Sequence, residues 1–231
     1  GVYTEDLNVA TLDLLRSPSL LISTTELTNT ISFLQAFLTE LSLAGSVLSV
    51  VIDVEQQIER KLENCMYFNR NVGDVYKFLE GDIVKNFNLY SSKKKDPTVL
   101  ADMKRVVCVI FGVNKFYNSL TPVMKKNFGT LLTASKEMKK YHFIFIDTPE
   151  DMKKLSFETW YREHISSDNG LWIGSGITNQ LLIRVNRTTK DMKEEITSSF
   201  GFYVKKGVPR FIKLLEAETD DKNEGGAHHE E

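Results

Sequence analysis

The chain lacks most of the features that would place it in a specialised class. Its two cysteines, Cys65 and Cys108, show neither metal-ligand nor redox spacing. Cys108 lies in the apolar run VVCVIF and reads as core packing, Cys65 carries no signal, and a reduced, cytoplasmic setting is the default. No apolar run approaches the ~18 residues that a membrane span needs. The opening GVYTEDLNVATLDLL is acidic, and its apolar stretch is too short for a signal peptide. Any membrane anchor of a parent protein is therefore expected outside this sequence. No internal repeat and no second domain are visible.

A strong overall charge is missing too. The net charge is −2, unevenly spread. Residues 216–231 hold seven acids and one lysine, a net of −6, which leaves residues 1–215 at +4. That tail has almost nothing to bury and is expected to be disordered. A body at +4 is too weakly basic to argue for nucleic acid. What is present is 42% hydrophobic and 26% charged residues over a length of 231, enough for one α/β domain with a proper core.

Short apolar runs alternate with amphipathic stretches, the pattern of a parallel sheet covered by helices. Leu20 to Ile22 opens the series as a strand. Thr30 to Leu41 follows as a helix with Ile31, Leu34, Phe37, Leu38 and Leu41 on one face. Gly45 ends that unit, and Val47 to Asp53 is a buried-type strand. The spacing predicts a helix from Asn71 to Tyr90 and an exposed loop at SSKKKDP. Arg105 to Phe111 reads as a central strand, Asn118 to Lys139 as one long helix, and His142 to Ile146 as another strand. Pro149 is expected to open a helix. In the last third, Gly170 to Gly176 and Gln180 to Val185 read as short strands. Phe200 to Lys205 and Val208 to Leu214 flank the hairpin-type pair Lys206-Gly207.

The informative segment is Pro18 to Phe33, PSLLISTTELTNTISF, a strand, a polar loop and an amphipathic helix. A phosphate-binding loop sits in this context and reads G-x-x-x-x-G-K-[ST]. Here those eight places hold Ser23, Thr24, Thr25, Glu26, Leu27, Thr28, Asn29 and Thr30. Both glycines and the lysine are replaced, and only the terminal hydroxyl remains. Taken alone, the segment equally reads as an ordinary strand-to-helix turn capped by Thr28.

A resemblance adds to this. LLISTTELTNTISFLQAFL resembles the phosphate-loop segment of FtsK and SpoIIIE motors in strand, loop length and following helix. RVVCVIFGVNKFYNSL, residues 105–120, resembles their Walker B strand, and YHFIFI, residues 141–146, the sensor strand after it. GLWIGSGITNQLLIRV and GFYVKKGVPRFIKLL resemble the closing strands of the third motor domain of EssC-type coupling ATPases, which serve type VII secretion in Gram-positive bacteria. The order agrees over residues 10–215. It implies a P-loop NTPase fold of the FtsK/RecA type: a mostly parallel sheet flanked by helices and closed by an antiparallel edge hairpin. It also implies a domain at 1–215 followed by the acidic tail.

Carrying the motor residues across mostly fails. The Walker B aspartate and glutamate fall at Phe111 and Gly112, which can neither hold Mg²⁺ nor orient a water. Asp147 falls at the sensor position, where a carboxylate would repel a γ-phosphate. No catalytic residue and no metal site is therefore expected, and any Mg-ATP bound by Ser23–Thr30 is expected to be weak. The resemblance implies a cytoplasmic domain of a cell-membrane protein that recognises or regulates export of small helical WXG-type substrates, with little or no hydrolysis of its own. Its expected partners are those substrates and the neighbouring motor domains of the same parent, a hexamer when full-length, without direct membrane contact. The alternative is a nucleotide-binding switch that controls assembly of the upstream motors. A DNA translocase ranks last.

Four further residues have two readings each. Trp160 and Tyr161, in FETWYREH, are core or an aromatic anchor for a partner. Trp172 and Ile173 are sheet packing or part of a groove that receives a substrate helix. Lys93 to Lys95 read as a solvated loop, lysines 125, 126, 136, 139 and 140 as an outer helix face, and His228-His229 as solvated tail.

Overall fold

The computed structural model describes residues 1–11, 18–58, 62–68 and 72–217. In chain order the strands and α-helices are β1 (Val2–Tyr3), β2 (Ser19–Thr24), α1 (Ile31–Leu43), β3 (Val47–Asp53), β4 (Cys65–Phe68), α2 (Val72–Phe78), α3 (Lys85–Ser92) and β5 (Arg105–Phe111). They continue as α4 (Val113–Ser119), α5 (Pro122–Met138), β6 (Tyr141–Asp147), α6 (Pro149–Lys154), α7 (Thr159–His164), β7 (Asn169–Ile173), β8 (Phe200–Lys205) and β9 (Val208–Lys213). They form one nine-stranded sheet in the order β1-β9-β8-β7-β2-β6-β5-β3-β4. The six strands from β7 to β4 are mutually parallel. The edge β8, β9 and β1 is antiparallel.

Alternation along the strands divides the core into two layers. Leu21, Val50, Ile52, Cys108, Ile110, Phe143 and Phe145 face α2, α4 and α5. Leu20, Ile22, Val51, Val107, Val109, Ile144 and Ile146 face Phe33, Leu34 and Leu38 of α1. Strands that bury both faces read as unbroken apolar runs, which is why β5 and β6 stand out in the sequence. The hairpin pair Lys206 and Gly207 has φ of 53° and 75°, the left-handed pairing that suits a two-residue hairpin. No helix among the described residues is long and apolar enough to cross a membrane.

Three expectations change. The helix expected over 118–139 is two helices. Leu120 is extended (φ −71°, ψ 143°), and Thr121 caps α5 by accepting from the Met124 N–H at 3.4 Å, with Pro122 in its first turn. Leu120 is nevertheless buried, so the apolar spacing runs across the break and conceals it. Gln180 to Val185 is not a strand. The Gln180 amide donates to the carbonyls of Ile177 (3.0 Å) and Ile183 (2.8 Å) and accepts from the Ile183 N–H (2.8 Å), closing a tight turn instead. Cys65 also belongs to β4, an edge strand that the sequence did not announce. The expected helix start at residue 71 and the tail from 218 onward lie outside the described residues.

Candidate functional site

The C-terminal ends of β2, β6 and β5 bring the phosphate-loop, sensor and Walker B positions together, with Ser23 beside Asp147 and Phe111 beside Ile146. Parallel pairing alone causes this, because every strand then ends on the same edge.

The expected loop is short. Ser23 and Thr24 still belong to β2 and are buried, and the Ser23 hydroxyl donates to the Asp147 carbonyl at 2.7 Å. Only Thr25 and Glu26 link the strand to a 3₁₀ turn, Leu27–Thr30, that runs straight into α1. In that turn the Asn29 N–H donates to the Glu26 carbonyl at 2.9 Å, and the Ile31 N–H donates to Thr28. The Thr30 hydroxyl donates to the Leu27 carbonyl at 2.7 Å, and the Asn29 amide reaches the Thr24 hydroxyl at 3.5 Å. Thr28 is exposed and does not cap α1: the capping position is Thr30, whose side chain accepts no capping hydrogen bond. The Asn29 and Ile31 N–H groups and the Thr30 hydroxyl therefore already serve neighbouring carbonyls.

Leu27 sits across the opening. A Cβ placed on Gly112 would lie 3.9 Å from Leu27 Cδ2, so an apolar side chain overhangs one Walker B position. On the other flank, a Cβ on Gly176 would come within 3.2 Å of Thr25 Cγ2, so the turn after β7 lies close beside the same link. Phe111 is buried. Gly112 adopts φ 72° and donates its N–H to the Ile146 carbonyl at 2.9 Å. It is the left-handed corner between β5 and α4, a conformation glycine takes without steric cost.

Asp147 is where the resemblance placed a sensor, but its carboxylate is fully engaged. It accepts from the Asn114 N–H at 2.8 Å and from its neighbour Thr148 N–H at 2.9 Å. Asn114, which the sequence reading passed over, extends the network by donating to Asp151 at 3.0 Å. Lys115 pairs with Glu55 across the ends of β5 and β3. Burial pushes Asp147 up to about 6; the two N–H donors and Lys115 pull it down, and Asp151 pushes it up. Its value in the fold thus exceeds the ordinary 3.8, so its contribution to stability is complete at low pH and is lost as pH rises through about 6. Between roughly pH 4 and pH 7, wild type is expected to lose about 2–3 kcal/mol relative to an Asp147→Asn variant. Urea midpoints at the two pH values read this directly, and an unchanged gap between the proteins would show that Asp147 does not titrate there.

Residues 23–30, Phe111, Gly112 and Asp147 do not fit a magnesium nucleotide. The Asn29 and Ile31 N–H groups and the Thr30 hydroxyl are engaged, Leu27 lies beside Gly112, the loop glycines and lysine are replaced, and no carboxylate occupies the Walker B places.

The aromatic candidates fall in different environments. Trp160 is 3% exposed and sits among Phe128, Tyr117, Phe145 and Tyr161, at ring distances from 5.0 to 6.0 Å. Trp172 is 1% exposed, and its indole N–H donates to the Ser175 carbonyl at 3.0 Å; Ile173 is fully buried. For Trp172 and Ile173 packing holds and the partner reading is corrected, because a side chain inside the sheet sandwich presents no surface; Trp160 is packed as well, with only its edge reaching the wall of a groove of about 650 Å³. Tyr161 differs. It is half-buried and lines a groove of about 380 Å³ with Pro149, Lys153, Leu181 and Leu182. Leu181 at its rim is 97% exposed, and Phe157, between α6 and α7, is 88% exposed. The exposure of Leu181 was hidden in the sequence, because it lies in a run that reads as a buried strand.

No family model and no curated protein matches the chain. Solved structures do. The cytoplasmic domain of EssC superposes with a TM-score of 0.76 at 13% identity, covering 94% of this chain and 43% of that one. EssC ATPases 2 and 3 from Geobacillus thermodenitrificans give 0.77 at 13% identity, covering 94% and 40%. Thermomonospora curvata EccC ATPases 2 and 3, in complex with a signal sequence peptide, give 0.64 at 14% identity, covering 95% and 40%. The chain thus spans less than half the length of these proteins. Its fold is that of P-loop ATPase domains of the EssC and EccC kind.

Proposed function

We propose that this chain is a motor-fold domain of a type VII secretion coupling ATPase, one that recognises or regulates small helical WXG-type export substrates and hydrolyses little or no ATP itself. The observation that carries this reading is the closed turn Leu27–Thr30, set in a sheet of EssC type. The motor architecture is kept, while the places where phosphate and Mg²⁺ would be held are filled by side chains and internal hydrogen bonds. Function then passes from the strand ends to the surface. In this reading the neighbouring motors of the same parent, anchored in the cell membrane and assembled as a hexamer, supply the hydrolysis.

The surface best suited to a substrate is the groove beside Tyr161. Two strongly exposed apolar side chains, Leu181 and Phe157, stand near it, and the three hydrogen bonds of Gln180 brace the turn that carries Leu181. A braced apolar tip beside an aromatic groove fits the apolar face of a helix. EccC ATPases 2 and 3 were captured with a signal sequence peptide, which agrees in kind with a polypeptide ligand.

Leu181→Asp is expected to weaken binding of a purified WXG-type hairpin protein by roughly tenfold or more. It should change stability by no more than ~0.5 kcal/mol, since the side chain touches little. Fluorescence anisotropy titration and a urea midpoint read the two quantities separately. No association with the wild-type chain at ~100 μM would count against substrate recognition.

A further inference from the structure

The weak overall charge conceals a concentrated one. Residues 93–105 and 136–140 hold seven lysines and one arginine against three acids. The fold gathers both segments at the N-terminal end of the sheet, opposite the edge described above. Three contacts join them: Lys95 pairs with Glu137, Lys140 Nζ donates to the Met103 carbonyl at 2.9 Å, and the Val106 N–H donates to the Lys140 carbonyl at 2.8 Å. Lys93, Lys94, Lys104, Arg105, Lys136 and Lys139 are exposed and form no ion pair with another described residue. Lys94, Lys95 and Lys139 have φ of 54°, 61° and 55°, which places them at the tips of tight turns. Helices α3 and α5 both end here, and their terminal carbonyls account for cations such as Lys136 and Lys139. Lys104 and Arg105, at the start of a strand, have no such explanation.

We propose that this lysine-rich face rests on the surface of an acidic lipid bilayer. Its composition separates the possible anionic partners. Protein interfaces are depleted in lysine and built around aromatic or arginine anchors, and this face offers one arginine and no exposed aromatic anchor. Nucleic-acid readout uses arginine forks and stacked aromatic rings, which are equally scarce. Clustered lysines on protruding turns suit a diffuse plane of headgroup charge, to which each contributes independently. The expectation of no direct membrane contact came with the resemblance, which says nothing of how charge is distributed on this chain's surface.

The test uses the full chain and sedimentation with mixed phosphatidylserine–phosphatidylcholine vesicles at low salt. Wild type should co-sediment with these and not with pure phosphatidylcholine, and raised salt should release it. Replacing Lys93, Lys94, Lys104 and Lys139 together by glutamine should weaken binding by up to about a thousandfold. All four side chains are exposed, so the thermal midpoint should fall by no more than a few degrees, the loss of cations at the ends of α3 and α5. Absence of wild-type binding to the acidic vesicles would overturn the proposal. So would binding equal in the quadruple variant, or retention of the chain by duplex DNA but not by vesicles.

Discussion

Trp172→Ala is expected to destabilise the chain by about 3–5 kcal/mol with no partner present. Trp172 is among the largest fully buried side chains. It lies in β7, paired in parallel with Ser23 of β2 and antiparallel with Phe202 of β8, at the seam where the sheet changes direction. The backbone is equally tight there, since a Cβ on Gly201 would come within 2.3 Å of the Trp172 carbonyl oxygen. Removing the indole leaves a cavity between the sheet and the residues packed on its face, and it releases the hydrogen bond to Ser175. A lowered urea midpoint with an unchanged slope is the expected signature. A variant as stable as wild type but defective in substrate binding would reverse the assignment and return Trp172 to the surface.

Calorimetric titration of the folded chain with Mg-ATP is expected to give no saturating heat up to about millimolar nucleotide. A phosphate-binding loop works through unengaged backbone N–H groups that curve around the anion. Here the Asn29 and Ile31 N–H groups and the Thr30 hydroxyl serve carbonyls within the turn, and Leu27 overhangs Gly112. Binding would require breaking that turn, exposing Leu27 and bringing γ-phosphate charge toward Asp147 without a Walker B carboxylate to hold Mg²⁺. For the same reason Asn29→Lys alone is expected to restore nothing: it supplies the missing charge but leaves the turn closed. Saturating micromolar heat in wild type, abolished by Thr30→Ala, would instead favour the nucleotide-switch reading.

The sequence was most legible where burial is complete on both sides. The runs 47–53, 105–111 and 141–147 have no polar face to obscure them, and their strands stand where the apolar pattern puts them. Periodicity was misleading where packing and backbone part company. Leu120 is buried yet extended, so an apolar position continued a helix that Thr121 and Pro122 had already restarted. Leu181 failed in the opposite way, as an apolar residue in an apolar run that one neighbouring amide turns out into solvent.

Composition and order by themselves determined the parallel α/β sandwich and its antiparallel closing hairpin, while the resemblance to FtsK-type motors implied the loss of motor residues at 23–30, 111 and 112. These depend on which side chains are present and on local periodicity, and both are written along the chain. Only the tertiary structure decided that the degenerate loop is closed rather than merely altered, that Trp160, Trp172 and Ile173 lie inside while Tyr161 and Leu181 reach a surface, and that a modest net charge gathers on one end. Burial and the gathered charge are set by distances between residues far apart in sequence, and the local turns are fixed by the packing around them. Such distances exist only once the strands have paired and the helices have packed on them.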